Sequence, residues 1–280
     1  MKKLAILGVV CFGVMAFVIS PKNKTIAKKA ENAVSKKENP AADSYKVIKV
    51  NGQIIYVKTG SSMKMGDEFA PTTSLKFATA ESRAAIISRI KGRFILTQGG
   101  SGDRSNLLPA MNNISSRAGA LLNIIDLQNH FQGNYVILGR MALTIGQDAF
   151  PMDNDHFFYL RFDYDGESIN KKLPVEEGKL VLDRKDIFKI DDKAIDGAKI
   201  KEMTLYYRDN AKKTSTKINS FNPVFPDIDL LKDELKIIIA EYSDKDSDKK
   251  KSEITSYINE FYGKPDKDNL AEFLEKEFQL

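Results

Sequence analysis

The sequence predicts an α+β fold in four parts: a small β-barrel-like module, a linking helix, a β-sandwich-like module and a C-terminal helical segment. Three observations carry this. Short apolar runs of period two recur between glycine turns over residues 45–98 and again over 134–224, as half-buried strands require. The intervening stretch, 99–133, changes to a 3–4 spacing. After residue 225, three amphipathic stripes follow one another to the C-terminus.

The N-terminal residues set the compartment. Lys2 and Lys3 precede sixteen uncharged residues, Leu4 to Ile19. A basic start followed by an uncharged apolar run is an export or membrane-anchoring signal, here residues 1–20. As a helix the run reaches roughly 24 Å, short of a hydrocarbon core of about 30 Å, which favours a signal peptide over a full span. Pro21 directly after Ser20 opposes cleavage there, and Cys11 lies inside the apolar run rather than at its end. The flank is basic, with Lys22, Lys24, Lys28, Lys29, Lys36 and Lys37, a pattern that belongs on the cytoplasmic side. Cleaved secretion, an anchor with the body outside and an anchor with the body inside all stay open at this stage, with export the expected outcome. Residues 21–44 read as a basic, flexible tether.

The formal charge of +5 comes from that tether. Residues 1–44 hold eight lysines and three acids, leaving thirty-five basic and thirty-five acidic residues in the rest. A nucleic-acid domain should carry its positive charge on the fold, so nucleic acid is not an expected partner. Lysines beside a membrane signal are suited to anionic headgroups. The body is itself polarised: residues 45–145 carry twelve basic and five acidic residues, residues 146–280 twenty-three and thirty. Such halves can steer docking within the chain or between copies. Cys11 is the only cysteine and the histidines number two, so the body has no disulfide and no metal or cofactor site is expected.

Within residues 45–98, Tyr45–Val50 and Gln53–Lys58 flank Asn51-Gly52, the dipeptide of a type I′ hairpin. Strands are predicted at Ser74–Thr79, Ala84–Ser88 and Arg93–Thr97, with turns at Met65-Gly66-Asp67 and Lys91-Gly92. Five short strands in so few residues predict a small barrel. Val47 to Gly52, the Gly66-Asp67 turn, Ser82 to Ile87 and Lys91 to Phe94 together resemble the FecR-type β-domain over residues 45–97. The resemblance implies an envelope-associated β module used in binding or signalling and implies no catalysis.

A helix is predicted over Asn106–Phe131, with Leu107, Met111, Ile114, Ala118, Leu121, Leu122 and Ile125 on its apolar face. Strands follow at Tyr135–Leu138, Met141–Ile145, Phe157–Tyr164, Glu167–Leu173, Lys179–Leu182 and Glu202–Arg208, with Asp165-Gly166 as a second type I′ turn. Six strands predict a small sandwich. The C-terminal helices are marked by Ile228, Leu231, Leu235 and Ile238; by Ser252 as a cap ahead of Ile254, Tyr257, Ile258 and Phe261; and by Leu270, Phe273, Leu274 and Phe278 after Asp268. Their apolar faces are expected to pack on the sandwich or on a partner, and the helices with the β modules to present docking surfaces to other proteins.

Candidate chemistry is sparse. Lys58-Thr59-Gly60 and Ser61–Lys64 match fragments of the penicillin-binding motifs, but they adjoin in a β-rich stretch and cannot build that site. Asp244, Asp246 and Asp248 have calcium-loop spacing, but Lys249 stands where the loop needs glycine. Asp153, Asp155 and His156 cluster ahead of a strand that runs on to Asp163 and Asp165, carboxylates and an imidazole suited to a cation or to acid–base work. Alternation places His156 at the edge of the apolar face. His130 is expected to cap the carbonyls that end its helix. Tyr206 and Tyr207 are expected to be exposed and available to a sugar or a small ligand. The function expected is a non-enzymatic cell-envelope scaffold or adaptor. Its partners would be other envelope proteins, a second copy of itself included, with the membrane met through residues 1–20 and the tether. The alternatives are an envelope glycan hydrolase acting through Asp153–Asp165 and a polysaccharide or small-ligand binder.

Overall fold

The first strand is buried on both faces, and the N-terminal architecture follows from that. In the computed structural model, which describes residues 44–100, 105–111 and 119–280, β1 (Tyr45–Asn51) carries Val47 and Ile48, both 0% exposed. A register shift between Val47 and Lys49 puts an extra residue opposite the next strand, so neighbouring side chains enter different cores. Val47 joins a cluster with Ile54, Leu75, Phe77, Ala84, Ile86 and Leu96, whereas Ile48 joins one with Ala85, Ile87 and the C-terminal helices. The expected signal at 1–20 and nearly all of the tether at 21–44 lie outside the described residues.

The remaining strands of this part are β2 (Ile54–Tyr56), β3 (Glu68–Phe69), β4 (Leu75–Phe77), β5 (Arg83–Ser88), β6 (Gly92–Gln98) and β7 (Ser105–Pro109). Five of them form one sheet in the order β3-β1-β5-β6-β7, while β2 pairs with β4. The sheet is open, with β3 and β7 as edges, so the expected barrel does not close. The Asn51-Gly52 hairpin is also corrected, because β1 pairs with β3 and β5 and never with β2. A two-stranded hairpin would have left one face of this doubly apolar strand in water. Gly52 keeps its positive φ (+77°), but there the chain passes tight against Ser82, whose Oγ lies 2.6 Å from where a Cβ would stand. The Lys91-Gly92 turn joins β5 to β6 as predicted.

The linking helix over 99–133 is corrected too. Its start is strand β7, antiparallel to β6, with Leu107 against the first core. Residues 112–118 lie outside the described residues. Helix α1 covers only Ile124–His130, capped by the Asn123 side chain on the Asp126 N–H. Of the predicted stripe, Met111 is 74% and Ile125 63% exposed, because an edge-strand pairing outweighs a 3–4 spacing with no partner surface.

The next strands are β8 (Asn134–Val136), β9 (Arg140–Thr144), β10 (His156–Tyr164), β11 (Glu167–Lys172), β12 (Val175–Glu176) and β13 (Lys179–Asp183). Helix α2 (Arg184–Ile187) follows, then β14 (Lys189–Ile190), β15 (Lys193–Ala194), β16 (Met203–Asp209) and β17 (Thr214–Val224). Asp165 and Gly166, at φ +49° and +87°, form the predicted turn between β10 and β11. A six-stranded sheet runs β11-β10-β16-β17-β8 and ends in a two-residue strand from the C-terminal segment. It shares a core with the three-stranded sheet β12-β13-β9, and the two are sandwich-like: Phe158, Leu160, Leu205 and Phe221 meet Met141, Leu143, Leu180 and Leu182. The longest strand, β17, was not expected. Its sequence is polar except at Ile218, Phe221 and the terminal Val224, and it contains Pro223, so alternation does not announce it.

Helices α3 (Ile228–Glu241), α4 (Ser247–Phe261) and α5 (Lys267–Phe278) close the chain, with β18 (Lys264–Pro265) between the last two. Asp227, Asp246 and Asp266 cap them through their carboxylates. The cap of α4 is thus Asp246 rather than Ser252, and Lys249 and Glu253 continue its first turns as an i,i+4 pair. The apolar stripes pack chiefly on the outer face of the first sheet, not on the sandwich: Leu231, Leu235, Ile238, Ile254, Tyr257 and Ile258 surround Ile48, Ala85 and Ile87. Strand β18 runs parallel to β8, whose Tyr135 faces the sandwich core and whose Val136 faces the helices. All described residues belong to one compact unit, Asn39–Leu280. No helix among them is long and apolar enough to cross a membrane.

Candidate functional site

The uncovered side of the six-stranded sheet gathers aromatic and cationic side chains into one platform. Residues directly opposite in an antiparallel pair share a face. One cross-strand row is therefore Lys172–Tyr159–Tyr206–Lys217, and the next in one direction pairs Phe157 with Arg208, in the other Asn170, Arg161, Thr204 and Ser220. The Tyr159 and Tyr206 rings are nearly parallel (10°) at 5.1 Å. The Arg161 guanidinium lies 4.8 Å from the Tyr206 ring and the Lys172 ammonium 4.3 Å from that of Phe157. Each such contact contributes about 0.5–1 kcal/mol at an exposed site. Among the described residues, none of Arg161, Lys172, Arg208 and Lys217 is ion-paired with a carboxylate. Arg161 donates to Asn170 Oδ1 at 2.9 Å, and Arg208 to Asn210 Oδ1 at 2.9 Å. Beside Arg161 a recess of about 310 Å³ is lined by Asp163, Lys199, Lys201, Glu202 and Thr204.

The carboxylate–histidine cluster predicted ahead of β10 exists, but as a closed set. Asp153 accepts from the N–H groups of Asp155 and His156, each at 2.8 Å, and its Oδ1 lies 2.9 Å from His156 Nδ1. His156 Nε2 faces Asp209 at 3.7 Å, and Asp209 pairs with Lys212 at 3.0 Å. Desolvation raises the Asp153 carboxyl, but the hydrogen bonds from His156 and the two backbone N–H groups outweigh it and hold the group below the usual carboxylate range. The backbone and side chain of Lys212 hold Asp209 low in the same way. These bonds order the turn into β10. Among the described residues no three His, Cys, Asp or Glu side chains converge in a way that could hold a metal.

No protein-family model matches the chain, and no curated protein matches it. A crystal structure of the N-terminal four Ig domains of Dscam1 isoform 6.44 shares 11% identity over 66% of this chain and 46% of that one, with a TM-score of 0.16. The chain thus spans less than half of that structure's length, and a likeness at that TM-score carries no inference.

Tyr206 and Tyr207 point to opposite sides of the sheet, as neighbours in a strand must. Both are half-buried rather than exposed. Tyr207 packs on Phe150 and Phe158 with centroids at 5.2 and 4.9 Å, and its hydroxyl donates to the Pro151 carbonyl at 2.8 Å. Burial, then the charges of Asp153 and Asp209, raise that hydroxyl's pKa. Only Tyr206 belongs to the platform. Sequence reasoning placed Phe157, Tyr159 and Arg161 on one face but did not pair them with Tyr206, because β16 neighbours β10 through a crossover that alternation cannot reveal. His130 is also not a helix cap: its Nε2 lies 2.6 Å from the Tyr135 hydroxyl in the sandwich core.

Proposed function

We propose that this chain is a non-enzymatic cell-envelope docking protein, carried to the membrane by residues 1–20 and the basic tether, that holds a protein partner on the outer face of its six-stranded sheet. The single observation behind this reading is the Tyr159–Tyr206 pair ringed by Arg161, Lys172, Arg208 and Lys217 with no carboxylate partner among them. Aromatic and arginine side chains are the types enriched where interfaces concentrate their energy. The resemblance of residues 45–97 to FecR-type β-domains supports the envelope placement. The C-terminal helices, expected to present docking surfaces, spend their apolar faces on the first sheet.

The test is site-specific photo-cross-linking in cells. A photoreactive residue at position 206 of the full-length chain should give a discrete adduct with an envelope protein. The same residue at position 236, on the exposed side of α3, should give none. Equal adducts at both positions, or none at 206, would overturn the assignment. Protease added to intact spheroplasts places the body: digestion agrees with export, and protection puts it in the cytoplasm.

A further inference from the structure

We propose that the occupant of the platform is the last helix of a second copy of this chain. The inference rests on reading the sheet face as a docking surface and names what docks there. Helix α5 exposes Asp268, Glu272 and Glu275, which the helical period aligns in one stripe. Among the described residues none of the three is in an ion pair. Three other acids on the helical segment are paired within the chain: Glu277 by Lys232 at 2.6 Å, Asp233 by Lys236 at 2.7 Å and Glu253 by Lys249 at 2.9 Å. One molecule therefore carries a row of unpaired acids on a helix and a ring of unpaired cations on a sheet.

The dimensions agree. Seven residues of helix advance about 10 Å, and a helix with its side chains is about 10 Å wide. Arg161 and Arg208 lie roughly 13 Å apart along the strand direction, because their rows are four residues apart on β16. Lys172 and Lys217 stand roughly 14 Å apart across the strands, at three strand spacings. A helix laid from Arg161 to Arg208 crosses the half-buried Tyr206 beside the buried Tyr159, with a lysine along each flank. The contact joins different patches on the two copies, so it either closes reciprocally or runs on as an open chain. Lys276 flanks the acid stripe, and Lys179 shares a small recess with Asp268 and Glu272, so each sets the direction of approach.

The full-length chain in a neutral detergent, followed by sedimentation velocity, tests this. Wild type should self-associate at roughly 0.02 M salt and dissociate at roughly 0.5 M, as the Debye length falls from about 20 Å to about 4 Å. Arg161→Glu with Arg208→Glu should abolish association, and so should Glu272→Lys with Glu275→Lys. Mixed one to one, the two double variants should associate again, because the unaltered helix of the first meets the unaltered platform of the second and the two charge-reversed patches also match. Lys172→Glu with Lys217→Glu replaces the arginine variant if its circular dichroism departs from wild type. A monomeric wild type at low salt, or a mixture that stays monomeric, overturns the proposal. If the wild type is monomeric but still cross-links from position 206 to another protein, the docking reading stands and only the occupant is wrong. If it is monomeric and instead binds dextran sulfate through Arg161 and Arg208, the face belongs to an anionic glycan and both readings fall.

Discussion

Lys49 on the first strand donates to Glu234, 185 positions later, at 2.8 Å. Glu234 is 1% exposed, and its other oxygen accepts from the hydroxyls of Tyr257 at 2.7 Å and Tyr262 at 2.5 Å. Tyr262 in turn accepts from Lys49 at 2.8 Å. A few residues away Arg93, also from the first sheet, meets Glu253 and Glu260 of α4. Two charged clusters thus pin the C-terminal helices to the first sheet inside an otherwise apolar interface.

Removing one member of such a pair leaves a buried charge unanswered. Lys49→Met should therefore cost about 3–5 kcal/mol in urea unfolding, the range for breaking a buried pair. Lys49→Met with Glu234→Gln should cost less than Lys49→Met alone, since the leftover carboxylate is gone. Equal losses for the single and the double variant would mean that the pair is not coupled. Truncation before residue 227 exposes Ile48 and Ile87 and should give an insoluble product.

The same interface sets the alkaline limit. Burial raises the pKa of Tyr242 to about 12, with Glu253 adding to the rise and Arg93 opposing it. Burial and then Glu234 also raise Tyr257 and Tyr262. In the unfolded chain these hydroxyls ionise near 10, so above that pH the unfolded state loses protons that the folded state keeps. The tyrosines' share of the stability should be constant below about pH 10 and fall as pH rises towards about 12. Tyr242→Phe should flatten the first part of that fall in pH-dependent thermal unfolding. An unchanged slope would show that Tyr242 does not take part.

The acid side has a different origin. His130 is enclosed by Phe131, Tyr135 and the cap of α5, and burial lowers its pKa to about 4 despite the nearby Asp266 and Asp268 carboxylates. Between about pH 6.5 and about 4 the unfolded chain binds a proton that the folded chain refuses. Stability should fall across that window as pH falls, and this histidine's share of the loss should level off below about 4. His130→Leu combined with Tyr135→Phe removes both polar partners, and its stability should be flatter from pH 6.5 to 4 than that of wild type.

The sheet layers were largely legible in the sequence where a single rule decided them. Asp165-Gly166 and Lys91-Gly92 turned as their φ requirements demand, and β10 declared its inner face through Phe158, Leu160 and Phe162. Failure came wherever two local rules competed. Asn51-Gly52 has ideal hairpin chemistry, yet β1 carries apolar side chains on both faces and takes two distant partners instead. Leu107 and Met111 fit a helical stripe, but the edge of β6 offered pairing first. The platform could be read only in part, as Phe157, Tyr159 and Arg161 alternate within one strand. Tyr206, Arg208 and Lys217 arrive through long-range pairing, and the polar β17 that brings Lys217 has no pattern to find.

Gly263 is where the helical segment enters the sandwich, and it tests whether that junction is rigid. Its φ is +133°, outside the regions open to side-chain-bearing residues, and a Cβ there would stand 2.3 Å from the Asn134 carbonyl oxygen. Both backbones are fixed, since Lys264 and Pro265 pair with Tyr135 and Val136, and Asn222 and Pro223 hold the other side of β8. Neither the clash nor the strain can relax without breaking the β18–β8 ladder. Gly263→Ala should therefore lower stability by about 2–4 kcal/mol, more than the roughly 1 kcal/mol expected from a glycine in an open turn. Gly60, with φ +71° and nothing within 4 Å of the added carbon, is the control for a left-handed glycine without a clash. The difference between the two alanine variants combines the Asn134 clash with the extra strain of φ +133°, neither of which can relax while α4 and α5 stay docked. If both lose the same amount, β18 yields easily and the three cores are joined more loosely than the shared strand implies.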